Sequence, residues 1–165
     1  MADASEPERT PDGRFLIIGG RRWRATDPSI PDGLRQELVD ELMHARRAVK
    51  TGEPDARDRV GDAKVALGER GHPWWEDPAP EDVRTRSEAT IRALLRKRDG
   101  STICPSDVAR VVGGEQWRSR MDEVRSLADD LAGSGHVVVT QRGEQVTASD
   151  AKGPVRIGRG PHFGD

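Results

Sequence analysis

The stretch "STICPSDVARVVGGEQWRSRM", Ser101 to Met121, constrains the fold more than any other part of the chain. Pro105 has no N–H to place and so suits the first position of a helix, which makes Cys104 the cap residue and sets Asp107 favourably in the first turn. Gly113 and Gly114 turn the chain. Trp117, Met121, Val124, Ala128 and Leu131 then recur at i+3 and i+4 steps, which predicts a further helix over residues 115–132. Upstream, Val83, Ile91 and Leu94 share a face with the smaller Ser87 and Thr90, predicting a helix over 82–98 that Asp99-Gly100 ends, with "STIC" as a short strand after it. Downstream come a strand over 136–141, a turn at Arg142-Gly143, a short strand to about Thr147 and another over 154–157.

Helix, strand, helix, turn, helix, then a β-hairpin is the order of a winged helix, and six elements in the correct sequence make a specific signal. The same residues carry a resemblance. "TICPSDVARVVG", Trp117, "VVVTQRGEQV" and "GPVRIGRG" are similar to a bacterial family, domain of unknown function 3253, over about residues 84–159. The resemblance implies a winged-helix-like fold, and it brings neither an activity nor catalytic residues. "RRWRATDPSIP" and "ALGERGHPWW" resemble segments of small bacterial proteins and imply no activity either.

The N-terminal half reads as a separate module. Residues 1–13 are polar, hold two prolines and lack apolar periodicity, so a disordered tail is expected there. "RFLIIGGRRWRATDP" sets two strand-like runs around Gly19-Gly20, a two-residue hairpin signal. Leu34, Leu38, Leu42, Ala45 and Val49 predict a helix over 33–50, and Ala56, Val60, Ala63 and Leu67 a second over 54–69. Neither can bury its stripe alone, so the two are expected to pair under the hairpin. The prolines and tryptophans of residues 72–81 suggest a linker pinned to a surface by Trp74 and Trp75. The expectation is therefore an α+β, mostly helical protein: a tail over 1–13, a hairpin and helical-pair module over 14–71, a linker over 72–81 and a winged helix over 82–160.

Composition narrows the function classes. With 34% charged residues the chain carries no apolar run able to span a bilayer and no cationic-then-apolar leader, and its lone cysteine, Cys104, fits a reducing compartment. A cytoplasmic protein without a membrane partner is expected. The net charge of −2 gives neither half the basic excess of a strong nucleic-acid binder.

Six residues are nonetheless candidates for contacting duplex DNA: Arg118 and Arg125 on the third helix of the unit, and Arg142, Lys152, Arg156 and Arg159 on the wing and the strand after it. The rest of that helix argues against groove reading, since Asp122, Glu123, Asp129 and Asp130 lie opposite its apolar stripe. Asp122 and Asp129 follow Arg118 and Arg125 by four residues, so intrahelical ion pairs are the expected use of both arginines. The wing offers a basic surface for backbone or minor-groove contact, with an ordinary solvated hairpin as the equal alternative. Arg21, Arg22, Trp23 and Arg24 form a secondary basic-aromatic patch that suits stacking on bases. Strand alternation instead sends Trp23 to the core and Arg22 and Arg24 to water, and this packing role is the expected one.

An enzyme has little support. Glu41 and His44 make one Glu-x-x-His without the second copy that a carboxylate-bridged di-metal site requires, and a solvated helix face is expected there. His72, His136 and His162 show no metal-ligand spacing, and Cys104 is expected to be structural. "GRGPHFG" lacks the strand-to-helix context of a dinucleotide site. No catalytic residue, cofactor or metal is assigned. Two readings remain: a non-enzymatic nucleic-acid-associated or regulatory winged-helix protein whose N-terminal module assists or forms a homodimer, and a protein-interaction or scaffold module that uses the winged helix as a shape. The second requires an exposed apolar patch, for which Val39, Met43, Trp74 and Trp75 are candidates.

Overall fold

A computed structural model describes residues 6–165. Strands β1 (Glu8–Arg9), β2 (Phe15–Ile18) and β3 (Arg21–Arg24) form an antiparallel sheet in that order, followed by helices α1 (Asp32–Lys50), α2 (Ala56–Ala66), α3 (Pro80–Lys97) and α4 (Pro105–Gly113). A 3-10 helix (Gly114–Arg120) leads into α5 (Met121–Gly133), and strands β4 (Val137–Gln141), β5 (Glu144–Gln145) and β6 (Arg156–Arg159) complete the chain. The fold is α+β and mostly helical.

Gly19 and Gly20 have φ of +58° and +77°, the paired positive values that a tight hairpin turn needs. Of the stretch expected to be a disordered tail, residues 1–5 lie outside the described residues. The remainder corrects the expectation: Glu8 and Arg9 pair with Ile17 and Leu16, and Thr10 and Asp12 close the intervening turn. Polar composition conceals this strand because its hydrogen bonds are made by backbone.

The helix expected over 115–132 is broken. Gln116, at φ −94° and ψ 19°, interrupts helical geometry, so Trp117 belongs to the 3-10 segment and α5 starts at Met121. The helix N-terminus at Cys104-Pro105 is as expected, with the Asp107 carboxylate accepting the Cys104 N–H at 2.9 Å. "STIC" contributes a single bridge: Ile103 and Ile157 exchange both backbone hydrogen bonds, at 2.8 and 2.9 Å. Ile103 therefore extends the second sheet, whose order is β5-β4-β6.

The core does not follow the division into two modules. Leu34, Leu38 and Leu42 of α1 and Ala63 and Ala66 of α2 lie in one buried cluster with Ile91, Leu94, Val108, Val124, Val139 and Ile157. The segment expected as a linker crosses the surface next to it, held by a hydrogen bond from the Trp74 indole N–H to the Ala25 carbonyl at 2.9 Å. Helix α3 is the reason. Ala89, Thr90, Ile91, Ala93, Leu94 and Leu95 are all buried, so its middle is covered almost all round, as in a central helix.

Arginine–carboxylate clamps fasten the helices. Arg98 donates to both Glu37 oxygens at 2.8 and 3.0 Å and to Asp107 at 3.1 Å, joining α1 to α4, and these partners raise its pKa. Glu41, expected on a solvated face, is instead 1% exposed and accepts from Arg59 of α2 at 2.6 Å. A carboxylate at that depth requires a cation, and one turn of α2 delivers it.

Candidate nucleic-acid interface

The six residues singled out for DNA contact divide between structural and free roles. Arg125 is structural. Its guanidinium donates to the carbonyls of Ala148, Ala151 and Gly153 at 2.8, 3.2 and 2.9 Å, which shapes the segment between β5 and β6. The expected pair with Asp129 does not form, because that carboxylate accepts the N–H groups of Ala148 and Ser149. Arg125→Ala is expected to cost about 1–3 kcal/mol and to speed amide exchange over residues 148–153, measured by chemical denaturation and hydrogen exchange. Arg125→Lys should restore little, since one ammonium cannot span three carbonyls held in a planar fork.

Arg159 also leaves the wing. It donates to the Leu95 carbonyl at 3.0 Å at the C-terminal end of α3, lies 3.4 Å from Asp99, and covers the Phe163 ring at 5.2 Å. A cation on the last carbonyls of a helix matches the helix dipole. Arg118 does not pair with Asp122. Its guanidinium lies over the Trp117 ring at 4.4 Å, and Arg110 of α4 lies over the same ring at 4.5 Å.

Arg142, Lys152 and Arg156 remain at the wing. Arg142 and Lys152 are exposed and make no ion pair among the described residues. Arg156 is exposed while donating to Thr102 Oγ1 at 2.7 Å, the Thr102 carbonyl at 3.1 Å and Cys104 Sγ at 2.7 Å. The hairpin that carries them is well fixed: β4 pairs with both β5 and β6, and the Gln141 amide donates to the Lys152 and Pro154 carbonyls at 2.7 and 3.2 Å. Glu144 and Asp150 share this region and are exposed, so the local excess of positive charge is small. Helix α5 presents Asp122, Glu123, Ser126 and Asp130 outward, Asp130 being paired with Arg84 at 3.0 Å.

One backbone feature stands out at the hairpin tip. Arg142 has φ of +52° and is the one non-glycine with positive φ among the described residues. Left-handed geometry costs a side chain with a Cβ roughly 1–2 kcal/mol, and glycine or asparagine avoids most of that.

Residues 84–160 match the family described as protein of unknown function (DUF3253). No curated protein matches the chain. The DUF3253 segment takes in most of α3 and everything through β6, and so contains the wing, the Trp117 stack and the α5 acids.

The secondary patch lies outside that segment, and here the structure overturns the expected packing role of Trp23. Neither strand of the hairpin has a buried residue, and Trp23 is 44% exposed. Phe15 lies opposite Arg24 and Ile17 opposite Arg22, while Leu16 lies opposite Trp23. The helices have filled the core, leaving this sheet as a flap. On one face Arg22 covers Phe15 at 4.2 Å, and Arg14 and Arg24 cover Trp75 at 5.0 and 5.6 Å. Alternation located the two faces correctly; it could not tell that neither face is covered by a core.

Of the four apolar candidates for a protein interface, Val39 packs against the core, Trp74 is hydrogen-bonded, and Trp75 meets Phe15 edge-on at 5.4 Å. Met43 alone is exposed. A cleft of about 410 Å³ between the 70–78 segment, α3 and the 3-10 helix holds the Asp27–Arg86 pair and a contact of 3.3 Å between His72 and Asp82.

Proposed function

We propose that residues 80–160 form a winged helix that associates with duplex DNA through the backbone, by way of Arg142, Lys152 and Arg156 on the wing, without catalysis and without reading the major groove through α5. The element order and the sheet order β5-β4-β6-Ile103, in which the strand after the first helix joins the edge of the hairpin sheet, support the winged-helix reading. The observation that carries the functional reading is Arg142. An arginine in a strained conformation at the tip of a fixed hairpin is exposed and makes no ion pair or side-chain hydrogen bond among the described residues. The turn requires the positive φ, and an arginine there, where glycine or asparagine would be less strained, supports a role for its side chain.

The acids of α5 face away from its packed side and would repel phosphates in a groove, so the wing contacts are expected to bind with little sequence preference. Three phosphate contacts give a log–log salt slope of about −2.7. Arg142→Asn separates the wing's two roles: stability should rise by about 0.5–1 kcal/mol as the strain is relieved, while duplex affinity falls. Changing Arg142, Lys152 and Arg156 together to alanine should weaken a labelled duplex by about 10–100-fold and flatten the salt slope, measured by fluorescence anisotropy. Equal duplex binding by the triple variant, or a wild-type chain that does not bind duplex at low salt, would remove this reading.

A further inference from the structure

We infer that the exposed Trp23, with Arg21 and Lys64 at its ring and Arg46 and Arg70 near Lys64, is a binding surface for single-stranded nucleic acid. An unpaired base stacks on the indole, and the cations take the flanking phosphates. The proposal does not rest on the wing: it concerns a different element, a different form of nucleic acid and residues outside the matched family segment.

Three observations bring these residues together. Arg21 and Lys64 approach the Trp23 ring to 5.8 and 5.7 Å, one from the same strand and the other from α2. Trp23 is still 44% exposed. It is in this respect unlike Phe15 and Trp75 on the opposite face, whose rings are covered by Arg22 and by Arg14 and Arg24. The charges are also unbalanced. The Lys64 ammonium titrates below the ordinary lysine range, first because it is partly buried and then because Arg70 and Arg46 repel it, with Glu69 opposing them weakly. Arg46, Arg70 and Lys64 form no ion pair among the described residues, and residues 14–26 hold four arginines and no acid.

Two cations at an exposed aromatic ring and two more beside Lys64 outnumber the one acid that acts on that lysine, Glu69, and this is the complement of a polyanion that also presents flat apolar rings. An acidic peptide would answer the charge and leave the indole unused. A duplex would answer the charge while keeping its bases stacked out of reach of a short, blunt hairpin. A single strand uses both, since every base has a π-face and stacking tolerates any sequence.

The test is fluorescence anisotropy of the full chain with a labelled mixed-sequence strand of about 12 nucleotides, within the usual site size for such surfaces. Wild type should bind at low salt, Trp23→Ala should weaken binding about tenfold, and Trp23→Phe should retain most of it. Lys64→Gln should flatten the salt slope by roughly 0.7, the share of one phosphate on a single strand. Trp23→Ala should weaken strand binding more than Arg142→Asn does, and the order should reverse for duplex, which separates this surface from the wing. Trp23 lies on an exposed flap, so circular dichroism melts of the variants should match wild type. Unchanged binding by Trp23→Ala, or no strand binding by wild type at low salt, overturns the proposal. So does equal competition by polyglutamate, or Trp23-dependent binding to phosphatidylserine vesicles in place of the strand.

Discussion

Arg86→Ala is expected to lower the stability of the folded chain by about 3–5 kcal/mol, the usual cost of removing one member of a buried ion pair. Arg86 leaves α3 and places its Nη2 3.0 Å from Asp27 and 3.1 Å from the Ala66 carbonyl, with Nε adding a second contact to that carbonyl at 3.2 Å. It therefore ties three elements together: the central helix, the last turn of α2 and the turn that enters α1. Asp27 is 5% exposed, and its other oxygen accepts the Ser29 N–H and hydroxyl at 2.9 and 2.7 Å. Without the guanidinium, a nearly buried carboxylate would be left without its cation. Burial lowers the Arg86 pKa despite the neighbouring Asp27, so desolvation outweighs attraction for the cation itself. The pair is thus costly to break without being a large net source of stability. Urea denaturation of Arg86→Ala, Asp27→Asn and the double variant should give a double loss well below the sum of the two singles. A loss under about 1 kcal/mol for Arg86→Ala would mean that water reaches Asp27 in the wild type.

The clamps show why local structure was legible in this sequence and the wiring between elements was not. Pro105 after Cys104, the paired glycines at 19–20 and the leucine spacing of α1 act over a few residues, and each appears where its chemistry requires. Glu41–Arg59, Arg98–Glu37 and Arg86–Asp27 join residues 18, 61 and 59 positions apart. Charges are scattered through the whole chain, so spacing cannot choose among so many possible partners. The same limit affected the candidate sites. Arg118 and Arg125 had an acid four residues on, and sequence alone favoured those pairs; the Trp117 ring and the 148–153 carbonyls competed better. Trp23 was assigned inward because alternation assumes that one face of a sheet meets a core. The positive φ of Arg142 had a visible signal, since Arg-Gly at a two-residue turn places a non-glycine where the left-handed region is required.

The stripe read on α3 was one-sided, and the difference supplies the second large effect. Val83, Ser87, Ile91 and Leu94 mark one face; Ala89 and Ala93 are buried on a second, and Leu95 is buried on the remaining side. α3 packs on α1 and α2 as well as on α4 and α5. Leu94, fully buried, belongs to the cluster they share. Leu94→Ala is expected to cost about 2–5 kcal/mol, from lost burial and from a cavity that close-packed helices cannot collapse. The form of the transition is as informative as its midpoint. If one core serves the whole chain, circular dichroism and tryptophan fluorescence should report a single coincident transition in both wild type and variant, with amides of α1 and α5 losing protection together. A variant in which α4 and α5 unfold while α1 and α2 keep their protection would instead show two cores divided at the 72–79 crossing. In that event the cluster joining Leu38 to Val124 would be a contact surface between separately stable units. Its continuity through Leu94, Ile91 and Leu95, each without exposed surface, argues for the single transition.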